Sequence, residues 1–125
     1  MRPASCFAAG ALFSAASPAL ATGTIVCTAA QWPGLDLALV VSEGVGGVTQ
    51  ATISNGGEEI TTGVGQEAPV IAQAWIDERE LKVDIVDANV EARIARLNTR
   101  QHGGAYSGTL IYRGRTVQVR CEEAG

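Results

Sequence analysis

Two cysteines set the tightest limit on how this chain folds. Cys27 lies in a short run in which Ile25, Cys27 and Ala29 share one face of an extended backbone, and Cys121 lies in another, with Val117 and Val119. Faces that repeat every second residue belong to half-buried β-strands. A bridge between the two runs makes the first and last strands neighbours. The 93 intervening residues are far from the Cys-x-x-Cys spacing of a redox pair, so the expected role is structural. Closing so long a loop stabilises a fold by up to about 4.7 kcal/mol on the chain-entropy account.

The third cysteine, Cys6, falls in a segment of different character. Residues 1–21 carry one charge at Arg2, an Ala-rich apolar stretch from Cys6 to Ala16, then Pro18 and the tripeptide Ala19-Leu20-Ala21. That order is expected of a secretory signal peptide cleaved after Ala21. The apolar stretch is shorter than the roughly 20 residues needed to cross a bilayer. Too few residues precede Cys6 for it to be a lipid-modified cleavage-site cysteine. The expectation is a leader over 1–21 and a single β domain over 22–125, exported to a periplasmic or extracellular space that permits the Cys27–Cys121 disulfide.

Beyond the leader there are 12 Val, 8 Ile and 10 Thr against 6 Leu, with 14 Gly. β-Branched residues pack well on pleated surfaces and lose rotamer freedom in helices, so the balance favours strands. Runs at 24–29, 35–42, 48–54, 58–62, 70–76, 81–86, 106–112 and 116–121 are separated by turn residues at regular intervals. Trp32-Pro33-Gly34 has the composition of a type II turn. Leu35, Leu37, Leu39 and Val41 form a strong inward face. Asn55-Gly56-Gly57 and Arg113-Gly114-Arg115 suit hairpins.

Residues 87–98 read two ways. As a helix, Asp87 caps a stripe of Val90, Ile94 and Leu97. As a strand, the preferred reading, Val90, Ala92 and Ile94 face inward and Leu97 breaks the alternation, requiring a bulge. The expected fold is all-β: a small antiparallel up-and-down barrel of about eight strands, closed by one disulfide that pairs the ends and removes both edges. A two-sheet sandwich is the alternative.

Little in the sequence points to catalysis. His102 is the only histidine, and with both remaining cysteines assigned to the bridge a zinc site lacks ligands. None of Ser42, Ser54 or Ser107 stands in a Gly-x-Ser-x-Gly setting. The acids Asp77, Glu78, Glu80, Asp84, Asp87 and Glu91 match no dense calcium loop and read as a solvated edge that discourages aggregation. The Gly-rich stretches at 44–47 and 63–65 lack the Lys-Ser or Lys-Thr of a phosphate cradle. No cofactor is expected, and the protein is expected not to be an enzyme.

Charge is segregated. Residues 22–91 hold eleven acids against Arg79 and Lys82, whereas 92–125 hold six arginines against Glu122 and Glu123. A net acidic chain has no general attraction to nucleic acid or anionic membrane. Arg93, Arg96, Arg100, Arg113, Arg115 and Arg120 either pair with acids across strands or form a strip for an envelope or extracellular partner with an acidic surface. The aromatics after the leader are Trp32, Trp75, Tyr106 and Tyr112. Tyr106, Gly108, Leu110 and Tyr112 share a face in a regular strand, as core packing or as the lining of a ligand cavity.

The segment His102-Gly103-Gly104-Ala105-Tyr106 resembles the Ser-Gly-x-x-Tyr motif of bacterial periplasmic lysozyme inhibitors, small secreted barrels with one disulfide. Gly103 and Tyr106 meet the motif, and His102 stands in place of its serine. Arg113-Gly114 is similar to the family's later Lys-Gly pair but lies nearer. The resemblance covers five residues and implies a candidate activity, insertion of a loop into an enzyme cleft, rather than membership. The expected function is a non-enzymatic binding module with His102, Tyr106, Arg113 and Arg115 as contact residues. A carrier of small apolar ligands at the barrel mouth and a structural envelope protein are the alternatives.

Overall fold

The computed structural model describes residues 23–42 and 47–124. The leader over 1–21 and its cleavage site lie outside these residues. Nine strands follow one another: β1 (Gly23–Ala29), β2 (Leu35–Ser42), β3 (Gly47–Asn55), β4 (Glu58–Thr61), β5 (Val70–Ile76), β6 (Glu80–Val86), β7 (Arg93–His102), β8 (Ala105–Tyr112) and β9 (Arg115–Glu123). They form one antiparallel sheet in the order β4-β3-β2-β1-β9-β8-β7-β6-β5, curled into a half-barrel. No helix among the described residues is long and apolar enough to cross a membrane.

The expected antiparallel, up-and-down all-β architecture is present, and so is the pairing of its ends. Cys27 stands directly opposite Cys121 between β1 and β9, bridged to it with a Cα–Cα distance of 3.9 Å. The place of closure differs from expectation. The β1–β9 pair is the centre of the sheet, and the two edges are β4 and β5, consecutive in the chain. Residues 62–69 span that seam. The disulfide therefore ties the middle of the sheet instead of sealing its margin.

Local chemistry accounts for the turns. Leu35 N donates to the Trp32 carbonyl oxygen at 3.0 Å and Gly34 has φ +93°, the geometry of a type II turn with Pro33 at its first corner. Between β8 and β9 the two-residue connection Arg113-Gly114 has positive φ at both positions, 51° and 78°, as a type I′ hairpin requires. Within β8, Gly108 faces the backbone of Asn98 and Thr99 so closely that a side chain would collide with it. Glycine there lets β8 follow the curl.

Inward positions form one core: Ile25, Cys27 and Ala29 from β1, Leu35, Leu37 and Leu39 from β2, Leu81, Val83 and Ile85 from β6, and Val117, Val119 and Cys121 from β9. β7 corrects the expected facing. Residues 87–92 form a loop held by Asp87, whose Oδ1 accepts from the Glu91 and Ala92 backbone N–H groups. The strand begins at Arg93, and Ala95, Leu97 and Thr99 point inward. Val90 is 67% exposed, at φ 60°. The irregularity lies where β6 meets β7, at a register shift between Ile85 and Val86, so Leu97 falls on the inner face without a bulge beside it.

Candidate functional site

The antiparallel order sends the connections to two opposite ends. At one end lie the β1–β2 turn, Gly56-Gly57, the 87–92 loop and Arg113-Gly114; at the other lie Asp77–Arg79, Gly103-Gly104 and the end of β9. The four residues singled out from the sequence are therefore divided. His102 and Tyr106 sit at the second end, Arg113 and Arg115 at the first. No single contact surface holds all four.

At the first end the arginines have internal partners. The Arg113 guanidinium carbon lies 5.0 Å from the centre of the Tyr112 ring, and its Nη2 is 3.4 Å from Glu58 Oε1 at the β3–β4 turn. Arg115 covers Trp32 at 4.6 Å from the ring centre. Trp32 and Tyr112 in turn pack at 5.6 Å, tilted by 50°. Tyr112 is completely buried, and its hydroxyl has no hydrogen-bond partner among the described residues. Two aromatic rings plug this end and two guanidinium groups lie over them.

At the second end Tyr106 donates its hydroxyl proton to the Asp77 carbonyl oxygen at 2.7 Å. Burial, then the negative charges of Asp77 and Glu123, push the Tyr106 hydroxyl above its ordinary pKa. A groove of about 600 Å3 beside it is lined in part by Glu78, Glu122 and Glu123. His102 is exposed next to the Gly103-Gly104 turn. Three carboxylates make this groove acidic, which disfavours the acidic partner considered from the sequence.

The outer face of β5, β6 and β7 holds several of the acids expected to form a solvated edge and of the arginines expected to pair across strands, together with Trp75. Trp75 points away from the core and is 56% exposed. Its indole N–H donates to Asp77 Oδ2 at 2.9 Å, and Asp77 Oδ1 accepts from the backbone N–H groups of Arg79 at 2.7 Å and Glu80 at 2.8 Å. These backbone bonds, with the indole bond next in weight, hold the Asp77 carboxyl below its ordinary pKa. An exposed indole is thereby anchored to the β5–β6 turn.

Beside Trp75 runs a groove of about 520 Å3 whose polar lining is Gln73, Lys82, Asp84, Arg96 and Asn98. Arg96 donates from Nε to Asp84 Oδ1 at 2.8 Å and from Nη2 to Oδ2 at 3.0 Å. This two-nitrogen clamp, aided by the charge of Arg93, holds the Asp84 carboxyl below its ordinary pKa against the opposing effect of burial. Asp84 in turn raises the Arg96 pKa. Lys82 lies 3.3 Å from Glu80. The cross-strand pairing considered from the sequence thus joins Arg93, Arg96 and Arg113 to acids of the first part of the chain.

Trp75 was legible only as an aromatic in a strand. Apolar residues occupy both faces of Val70–Ile76, and a register shift between Ile71 and Gln73 changes which side each half presents. The strongest available signal was Trp75 two residues before Asp77, a spacing that lets a turn carboxylate reach an outward indole. No protein-family model matches the chain, and no curated protein or solved structure matches it.

Proposed function

We propose that this chain is an exported, non-enzymatic binding module whose recognition surface is the outer face of β5, β6 and β7 around Trp75. The observation that carries the reading is the anchored, half-exposed indole: a large rigid apolar surface on which ligand contact costs little side-chain entropy. Export is supported by the leader-like composition of residues 1–21 and by the Cys27–Cys121 disulfide, which suits an oxidising compartment. The loop-docking reading has less support, because Arg113 and Arg115 already engage Glu58 and two aromatic rings. The apolar-carrier reading is weakened by an interior filled with Leu35, Leu37, Leu39, Leu97, Leu110 and Tyr112.

The test passes an envelope fraction over columns of wild-type protein, Trp75→Ala and the Arg113→Ala/Arg115→Ala double variant. The expected outcome is a component retained by wild type and the arginine variant and lost by Trp75→Ala. Retention that is indifferent to Trp75, or no retention above a blank column, overturns the reading.

A further inference from the structure

We infer that the ligand of the Trp75 face is a neutral oligosaccharide lying across the strands; this rests on the reading of that face as the recognition surface. Direct register partners place Trp75, Lys82, Asn98, Thr109 and Gln118 in one row over β5 to β9. Neighbouring strands are about 4.8 Å apart, so the row extends for about 19 Å. A second row begins Gln73, Asp84, Arg96. The array is a ladder of polar side chains with one aromatic platform at its β5 end.

Its chemistry selects against charge. Arg96 is clamped on Asp84, Lys82 lies against Glu80, and Arg93 lies 3.9 Å from Asp84. Each of these cations already has a carboxylate beside it, so none is left unpaired to hold an anion. The side-chain amides of Gln73, Asn98 and Gln118, by contrast, have no hydrogen-bond partner among the described residues. Each amide offers both donors and an acceptor, which is what a hydroxyl-rich ligand needs.

The indole adds the second half of the recognition. Its N–H is occupied by Asp77, so what remains for a ligand is the electron-rich ring face. That face attracts polarised C–H groups, which a pyranose presents on one side while its hydroxyls project around the rim. A protein hot spot instead seats its aromatic among apolar neighbours that exclude water; the surroundings here are polar. The length of the row favours a chain of several sugars over a single one.

The experiment is calorimetric titration of the purified protein with neutral hexasaccharides of β-1,4-linked glucose, β-1,4-linked N-acetylglucosamine and α-1,4-linked glucose, with glucose and heparin as controls. In parallel, Trp75 emission is followed in a Trp32→Phe variant. At least one hexasaccharide is expected to bind saturably and to change Trp75 emission. That affinity is expected to be nearly independent of salt and to fall about tenfold or more in Trp75→Ala and in Gln73→Ala/Asn98→Ala. Binding of heparin alone, or hexasaccharide binding that survives both variants, overturns the inference. If no hexasaccharide binds while column retention still depends on Trp75, the ligand class is wrong and the recognition face stands; if neither depends on Trp75, both fall.

Discussion

The Cγ2 methyl of Ile76 lies 2.6 Å from the point that a Cβ on Gly47 would occupy. β3 and β5 are not hydrogen-bonded neighbours, so this contact is where the curled sheet approaches itself across the seam. Gly47 also has φ +96°, a conformation that side chains adopt with strain. Gly47→Ala is expected to destabilise the fold by about 1–3 kcal/mol, read as a lower denaturant midpoint. An unchanged midpoint means that the seam is loose in solution.

The disulfide joins facing residues in the buried centre of the sheet, both cysteines being 1% exposed or less. Non-reducing peptide mapping is expected to recover the Cys27 and Cys121 peptides linked. Replacing both with Ala is expected to lower stability by about 2–5 kcal/mol while circular dichroism remains that of a β protein. A mixture of free thiols in the native protein contradicts the bridge.

Acid should reveal the Asp84–Arg96 clamp. The Asp84 pKa is lower in the folded protein than the ordinary aspartate value, so the unfolded chain takes up the proton first as pH falls. The stabilisation is therefore complete above the unfolded pKa and is lost as pH drops through the folded one. Asp84→Asn is expected to lower stability at neutral pH and to flatten the pH dependence below about pH 4. Equal slopes in wild type and variant below that pH exclude Asp84 as a contributor.

The β6–β7 connection allows a paired test of facing. Leu97 is 2% exposed, and Leu97→Ala is expected to cost about 2–5 kcal/mol. Val90 is exposed and holds a positive φ of 60°, which a β-branched side chain tolerates badly. Val90→Gly is expected to be neutral or to stabilise by about 1 kcal/mol. If Val90→Gly destabilises as strongly as Leu97→Ala, residues 87–98 pack as the alternative stripe.

The sequence alone determined the β class, the boundaries of every strand but β7 to within about two residues, the type II turn at Trp32-Pro33-Gly34 and the partnership of Cys27 with Cys121. These follow from local rules: period-two burial, turn residues with restricted φ, and two cysteines suited to one bridge. Tertiary structure decided the rest. Which strands become edges depends on non-local pairing, and the open seam fell between β4 and β5 in mid-chain. The facing of β7 was hidden because Ile94, Ala95 and Leu97 put apolar groups on both faces, so alternation did not say which was inward. The division of His102 and Tyr106 from Arg113 and Arg115 follows from strand direction, which sends successive turns to opposite ends. Trp75 became a surface residue because burial is set by the curl of the whole sheet and by the shift at Ile71 to Gln73, neither of which any short window of sequence contains.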